Sequence, residues 1–252
     1  VGKTTTSANL GTALALLGKR VCMVDTDIGL RNLDVVMGLE NRIIYDLVDV
    51  VEDRCRLGQA LVKDKRFEHL SFLPAAQTQD KEAITAEGIK KIIQELKEEY
   101  EYVIIDCPAG IEQGFKNAVA GADSAIVVTT PELSAVRDAD RVIGLLEGTN
   151  ISSPKLIINR IRPSMLKSGE MLDIDDICSI LAIDLLGIVP DDEQVIKAAN
   201  QGEPTVMNPN SRAAQAYRNV ARRILGDTVP LMNLHEKSGM LKKIKNLFRM
   251  GG

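Results

Sequence analysis

Lys3 and Thr4 follow Gly2 at the head of a run of small and apolar residues. This is the closing half of the pattern Gly-x-x-x-x-Gly-Lys-Thr. In that pattern backbone N–H groups cradle phosphates, the lysine reaches the outer phosphates and the threonine hydroxyl ligates Mg²⁺. On this reading Val1, Gly2, Lys3, Thr4 and Thr5 lie against phosphates, and Thr4 holds the metal. Gly-Lys-Thr alone also fits a capped surface helix. The first glycine of the pattern, and the strand that feeds such a loop, would lie ahead of Val1, so the chain is expected to lack them.

A phosphate loop needs acids nearby. They hold the metal's waters and aim an attacking one. Asp106 ends the apolar run Tyr102-Val103-Ile104-Ile105 and has the form of a Walker B aspartate. Asp25 and Asp27 flank Thr26 just past Val21-Cys22-Met23-Val24. Residues two apart in a strand point to the same side, so both acids are expected to face one pocket. Solvated turn acids would have the same spacing.

Positioning these groups requires a sheet whose strands end together. Further buried-strand runs are read at 70–74, 125–130, 156–160 and 185–190. Helices are read at 4–17, with Leu10, Ala13, Leu14 and Leu17 inward, and at 43–51, 57–62, 85–100, 134–147, 174–181, 193–200 and 212–225. Gly29 to Asp34 reads as a loop. Continuous apolar strands alternating with helices predict an α/β fold: three layers, a mostly parallel sheet with helices on both faces, and a P-loop NTPase core whose first strand is missing. Ligands of such sheets bind at the strands' carboxyl ends, where the acids stand.

Composition narrows the function. At 252 residues the chain can form one large domain, and 45% hydrophobic with 26% charged residues is ordinary for a globular protein. Aromatics make up 3% and there is no Trp, which disfavours base stacking on aromatic platforms. Cys22, Cys55, Cys107 and Cys178 are scattered without a C-x-x-C, suggesting neither zinc ribbon nor disulfide framework, and a reduced cytoplasmic setting. No apolar run approaches the ~20 residues that span a bilayer.

The net charge of −4 is uneven: the end of the chain is basic and the body correspondingly more acidic, which disfavours general DNA coating. Residues 1–225 read as the folded domain, 226–238 as a linker and 239–252 as an amphipathic helix. In that helix Leu241, Ile244, Leu247 and Phe248 share one face, and Lys242, Lys243 and Lys245 take the other. This pattern suits a helix lying in an anionic membrane surface. A docked terminal helix would show similar spacing.

Several segments together resemble the ParA/MinD family of deviant P-loop ATPases. They are Gly2-Lys3-Thr4-Thr5-Thr6, Val24 to Asp34, Ile104 to Glu112, Pro131 to Arg141, and Asn200-Gln201-Gly202-Glu203-Pro204. The resemblance covers essentially the whole chain. It implies an ATP- and Mg²⁺-dependent ATPase that dimerises with ATP, sits peripherally on the inner face of the cell membrane, and places the division site by recruiting a MinC-like inhibitor. A MinE-like activator or a polar scaffold would stimulate it. Lys3, Asp27 and Asp106 would serve catalysis: Lys3 on phosphates, Asp106 on a metal-bound water, Asp27 on the attacking water. Asp25 would lie near the metal, and Asn32 near the nucleotide at the dimer interface. Asn159 with Pro190 and Asp191 would cradle adenine, and Asp138 and Asp140 match a segment linked to the MinC-like partner. The family's loop carries a second lysine ahead of Gly-Lys-Thr that this chain does not contain, so the chain as written is expected to hydrolyse ATP poorly. Neighbouring readings are an FlhG-like flagellar-number ATPase and a ParA-like DNA segregation ATPase; the acidic body and the tail count against specific DNA binding.

Overall fold

The computed structural model describes residues 1–77 and 84–234. Val21–Asp25 (β1) is buried at every position, as a strand covered on both faces must be. It pairs in parallel with Leu70–Leu73 (β3) on one side and with Tyr102–Asp106 (β4) on the other. Val62–Lys63 (β2) adds to β3 as an antiparallel edge. A second hydrogen-bonded group, Ile126–Thr129 (β5), Lys155–Ile161 (β6) and Asp184–Pro190 (β7), is parallel throughout. The strand orders are β2-β3-β1-β4 and β5-β6-β7.

Helices cover both faces. Lys3–Leu16 (α1) and Arg212–Ile224 (α11) pack on one, in a core that takes Val21 and Met23 from β1, Ile157 from β6 and Val189 from β7. That shared core joins the two strand groups. The alternate residues of β1, Cys22 and Val24, face Ala86–Glu99 (α5) and Leu47–Val51 (α3) on the opposite side. Leu133–Glu147 (α7) and Ile174–Leu181 (α9) cover β5–β7 there. The expected three-layer α/β architecture is the one observed.

The sequence reading departs from the structure where elements are short. Asp46 caps α3, accepting the N–H groups of Val48 and Asp49, so the helix starts at Leu47 and not at residue 43. The stretch 57–62 divides into Leu57–Ala60 (α4) and the start of β2. The expected loop 29–34 ends inside a helix, Leu33–Met37 (α2). Gln113–Ala120 (α6) and Pro163–Ser168 (α8) were not anticipated; a Pro at the first helical position starts α8. Leu17 is 45% exposed, not inward, because α1 ends at Leu16.

The expected linker also reads differently. After α11, residues 226–234 run back along that helix. Arg223 donates to the Val229 and Pro230 carbonyls at 2.8 and 2.7 Å, and Arg212 to the Asn233 carbonyl at 2.8 Å. Leu234 is buried. This segment is fastened down, since each of its bonded carbonyls finds an arginine. The expected amphipathic helix, 239–252, lies outside the described residues.

Candidate active site

Parallel pairing sets the geometry of the acids. Asp25 and Asp106 are register partners at the carboxyl ends of β1 and β4, so the two carboxylates come level. Both residues are buried. Thr26 ties the strand ends together, its hydroxyl and its N–H both donating to the Asp106 carbonyl, at 2.6 and 3.2 Å.

The head of α1 stands over them. Gly2 caps the helix in the left-handed region (φ 96), and its carbonyl accepts the Thr6 N–H at 3.0 Å. No side chain caps the first turn and no acid lies in it, so the free N–H groups and the helix dipole face outward. Such a helix start favours anions. The Ser7 hydroxyl donates to the Asp106 carboxylate at 2.9 Å, and the Thr4 hydroxyl also favours the charged form of that carboxylate. Ser7 was not read from the sequence as a site residue. Its spacing of three from Thr4 on one helix is the signal that could have found it.

Asp27 lies past the end of β1, so strand alternation does not place it. A turn does: its N–H donates to Asp25 Oδ1 at 2.9 Å, while the Leu33 N–H at the head of α2 donates to Oδ2 at 3.2 Å. Burial pushes the Asp25 carboxyl up to about 7; the charges of Asp106 and Asp27 add to this, and the two N–H bonds oppose it. Burial also raises the Asp106 carboxyl, against the hydroxyls of Thr4 and Ser7 and the charge of Lys3. Two buried carboxyls at the strand ends, with the half-buried Asp27 close by, make a site that favours positive charge.

The donor set fits Mg²⁺. One hydroxyl and level carboxylates surround the head of α1, yet no group of three His, Cys, Asp or Glu forms a metal cage among the described residues. Mg²⁺ needs none, because it keeps its waters and borrows phosphate oxygens.

The other expected residues are placed apart from this cluster. Asn32 is exposed just before α2. Asn159, buried near the end of β6, donates to the Val1 carbonyl at 2.9 Å. A Cβ on Gly2 would come within 2.6 Å of its amide nitrogen, so Asn159 braces the start of the loop. Pro190 ends β7, and Asp191 beyond it is paired to Arg162 at 2.6 Å. Asp138 and Asp140 are exposed on α7. A cleft of about 510 Å³ lined by Glu132, Leu133, Arg160, Arg162 and Met165 opens beside the ends of β5 and β6.

A parallel sheet with acids at its strand ends, facing the open head of a helix that begins Gly-Lys-Thr, defines a P-loop nucleotide hydrolase, and residues 1–153 match the family model described as AAA domain. The chain is 70% identical to septum site-determining protein MinD of Bacillus subtilis (strain 168), over 98% of this chain and 94% of that protein. Its fold superimposes on MinD in the MinC:MinD cell division protein complex of Aquifex aeolicus with a TM-score of 0.85 at 48% identity, covering 92% of this chain and 94% of that one. It also matches the MinD of Pyrococcus horikoshii OT3 complexed with Mg-ADP, with a TM-score of 0.81 at 28% identity, covering 90% and 94%. The chain belongs to the MinD family of septum site-determining ATPases, within the ParA-like deviant P-loop class. The flagellar-number and DNA-segregation readings give way to this relationship.

Proposed function

We propose that this ATPase binds Mg-ATP over the head of α1, dimerises around it, and in that state holds a division inhibitor at the membrane. The observation that carries the reading is the convergence of Thr4 and Ser7 on Asp106, level with Asp25, under an uncapped helix start. Val1, Gly2, Lys3, Thr4 and Thr5 receive the phosphates, through backbone N–H groups and the Lys3 ammonium. Bound Mg²⁺ neutralises charge on the transferred phosphoryl group. Thr4 would hold it directly, and Asp25 and Asp106 through water. Asp27 orients the attacking water, and Asn32 lies at the dimer interface beside the nucleotide. Asn159, Pro190 and Asp191 take the adenine side.

The MinC:MinD complex of Aquifex aeolicus supports a MinC-like partner, and Asp138 and Asp140 are exposed on α7 to meet it. A MinE-like activator or a polar scaffold is the second partner. Residues 1–225 form the ATPase domain and 239–252 the membrane helix, joined through 226–238. One such helix binds an anionic surface weakly. Two on a dimer gain avidity of ~10²–10⁴ through effective concentration, so loss of the dimer after hydrolysis releases both. Among the described residues no helix is long and apolar enough to cross a membrane, and the reading is peripheral attachment.

The test is ATP turnover and vesicle sedimentation of the full-length protein with anionic vesicles. Asp27→Ala is expected to lower turnover about 100-fold with ATP binding retained. Ile244→Glu is expected to abolish sedimentation with ATP binding retained. Wild-type turnover in the first variant, or wild-type sedimentation in the second, refutes the corresponding assignment.

A further inference from the structure

We propose that Arg66 is a positioning residue for the reaction: it clamps α2, and through α2 it holds the Asp25 carboxylate in place. The inference rests on the reading of Asp25 and Asp27 as site acids.

Asp25 depends on α2 for one of its two backbone hydrogen bonds, the 3.2 Å bond from the Leu33 N–H. Yet α2 has only five residues. A helix that short has no stability of its own and must be held by contacts. The loop leading into it is strained as well: Arg31 is left-handed (φ 44) and is paired at 2.6 Å to Asp34, which is buried.

Arg66 supplies the hold at the far end of α2. It sits in the hairpin between β2 and β3, where its Nε and Nη2 donate to the two oxygens of Asp64 at 3.0 and 2.7 Å. Asp64 is buried, so the planar fork is locked in one orientation. From there Nη2 also reaches the Met37 carbonyl, one of the orphan acceptors at the end of α2, and Nη1 reaches the Gly202 carbonyl at 2.9 Å. One guanidinium thus joins three segments far apart in sequence.

The third segment makes the clamp close-fitting. Gly202 turns the chain after Glu193–Asn200 (α10), with φ 66, and lies directly on Gly38, which ends α2 with φ 63. A Cβ on Gly38 would stand 2.7 Å from the Gly202 carbonyl oxygen, and one on Gly202 would stand 2.7 Å from the Gly38 Cα. Two glycines in backbone contact, pinned by one arginine, leave α2 little room to shift. Since α10 starts just after Pro190 and Asp191, the clamp also links the end of β7 to the acid cluster. Lysine cannot reproduce it, having a point charge and no planar fork.

The experiment measures ATP turnover and amide hydrogen exchange on full-length Arg66→Lys, with Asp27→Ala beside it. The expected result is a kcat lower by about tenfold with KM for ATP within about twofold, since a small misplacement costs turnover before binding. The Leu33 and Val35 amides should exchange about tenfold faster while those of α5 keep their protection. Gly202→Ala pushes the same contact apart while leaving the Arg66 side chain itself unsubstituted, and should give the same pattern. The proposal is overturned by unchanged turnover in Arg66→Lys and Gly202→Ala, or by lost turnover with exchange accelerated equally in α5 and α11, which marks a purely structural role. Wild-type turnover in Asp27→Ala would instead overturn the reading of the site, whatever Arg66→Lys does.

Discussion

The ends of β1 and β4 and the ends of β6 and β7 treat polar groups in opposite ways. At β1 and β4 the fold buries Asp25 and Asp106 side by side, raises both carboxyls, and brings Asp27 close to them. Nothing in the chain's own stability asks for this arrangement, because crowded buried carboxylates oppose folding. At β6 and β7 each group is answered by its own chain. Asn159 braces Val1 and Asp191 pairs with Arg162. Asp192 accepts from the Gln194 N–H at 3.0 Å, the Ser211 hydroxyl at 2.7 Å and the Ala213 N–H at 3.2 Å. One region keeps its buried carboxyls in an unfavourable setting; the other uses its polar groups to hold two helix starts together.

The largest effect should separate stability from activity at the first region. Asp106→Asn keeps the shape and removes a buried charge, and the hydroxyls of Thr4 and Ser7 can rotate to suit an amide. ATP turnover is expected to fall about 10²–10³-fold. The nucleotide-free melting temperature is expected to rise by a few degrees, on the order of 1 kcal/mol. A lower melting temperature in calorimetry would mean that Asp106 stabilises the empty fold, and the contrast between the two regions would fail.

The next effect has the opposite sign. Burial alone would push the Asp192 carboxyl up, but the bonds from Gln194, Ser211 and Ala213 hold it below its usual range. Asp192→Ala uncaps α10 and strips Ser211, itself the cap of α11, of its partner. The expected cost is about 2 kcal/mol, with turnover at saturating ATP within about threefold of wild type. A lowered folded pKa means this stability is fully present above the unfolded carboxyl pKa, roughly 3.9, and is lost as pH falls through the folded value. Urea titrations of wild type and variant should therefore converge on the acid side; curves that stay parallel from neutral pH down to the acid limb would break the assignment.

The two regions also differed in how legible they were before folding. Asp25 and Asp106 were legible because each closes an unbroken run of four residues that reads as a buried strand, and the Gly-Lys-Thr start because it opens a 14-residue helix. Asp27 was placed on the right neighbour by an argument the structure does not use: it reaches Asp25 through a turn. Arg66 left no trace, because its partners Met37 and Gly202 are backbone carbonyls in short, irregular segments, and no side-chain pattern encodes them. α2 and β2 were missed because five and two residues are too few for a period to register; α6 was missed although α9 and α10, of the same eight residues, were read.

The return segment after α11 supplies the smallest test. Arg223 donates to Leu186 at 2.9 Å as well as to Val229 and Pro230, so one side chain ties β7, α11 and the stretch leading to residue 235 together. Its carbonyl partners at 229 and 230 can turn to water when it is lost, which keeps the cost low. Arg223→Ala is expected to lower global stability by about 1 kcal/mol or less. The sharper readout is local: the amides of Val229 and of residues 231–234 should exchange faster while those of β7 keep their protection. Faster exchange in β7 as well would mean that the segment is part of the domain's cooperative core, and the polar groups at the ends of β6 and β7 would then carry more of the fold than the contrast with Asp25 and Asp106 assigns them.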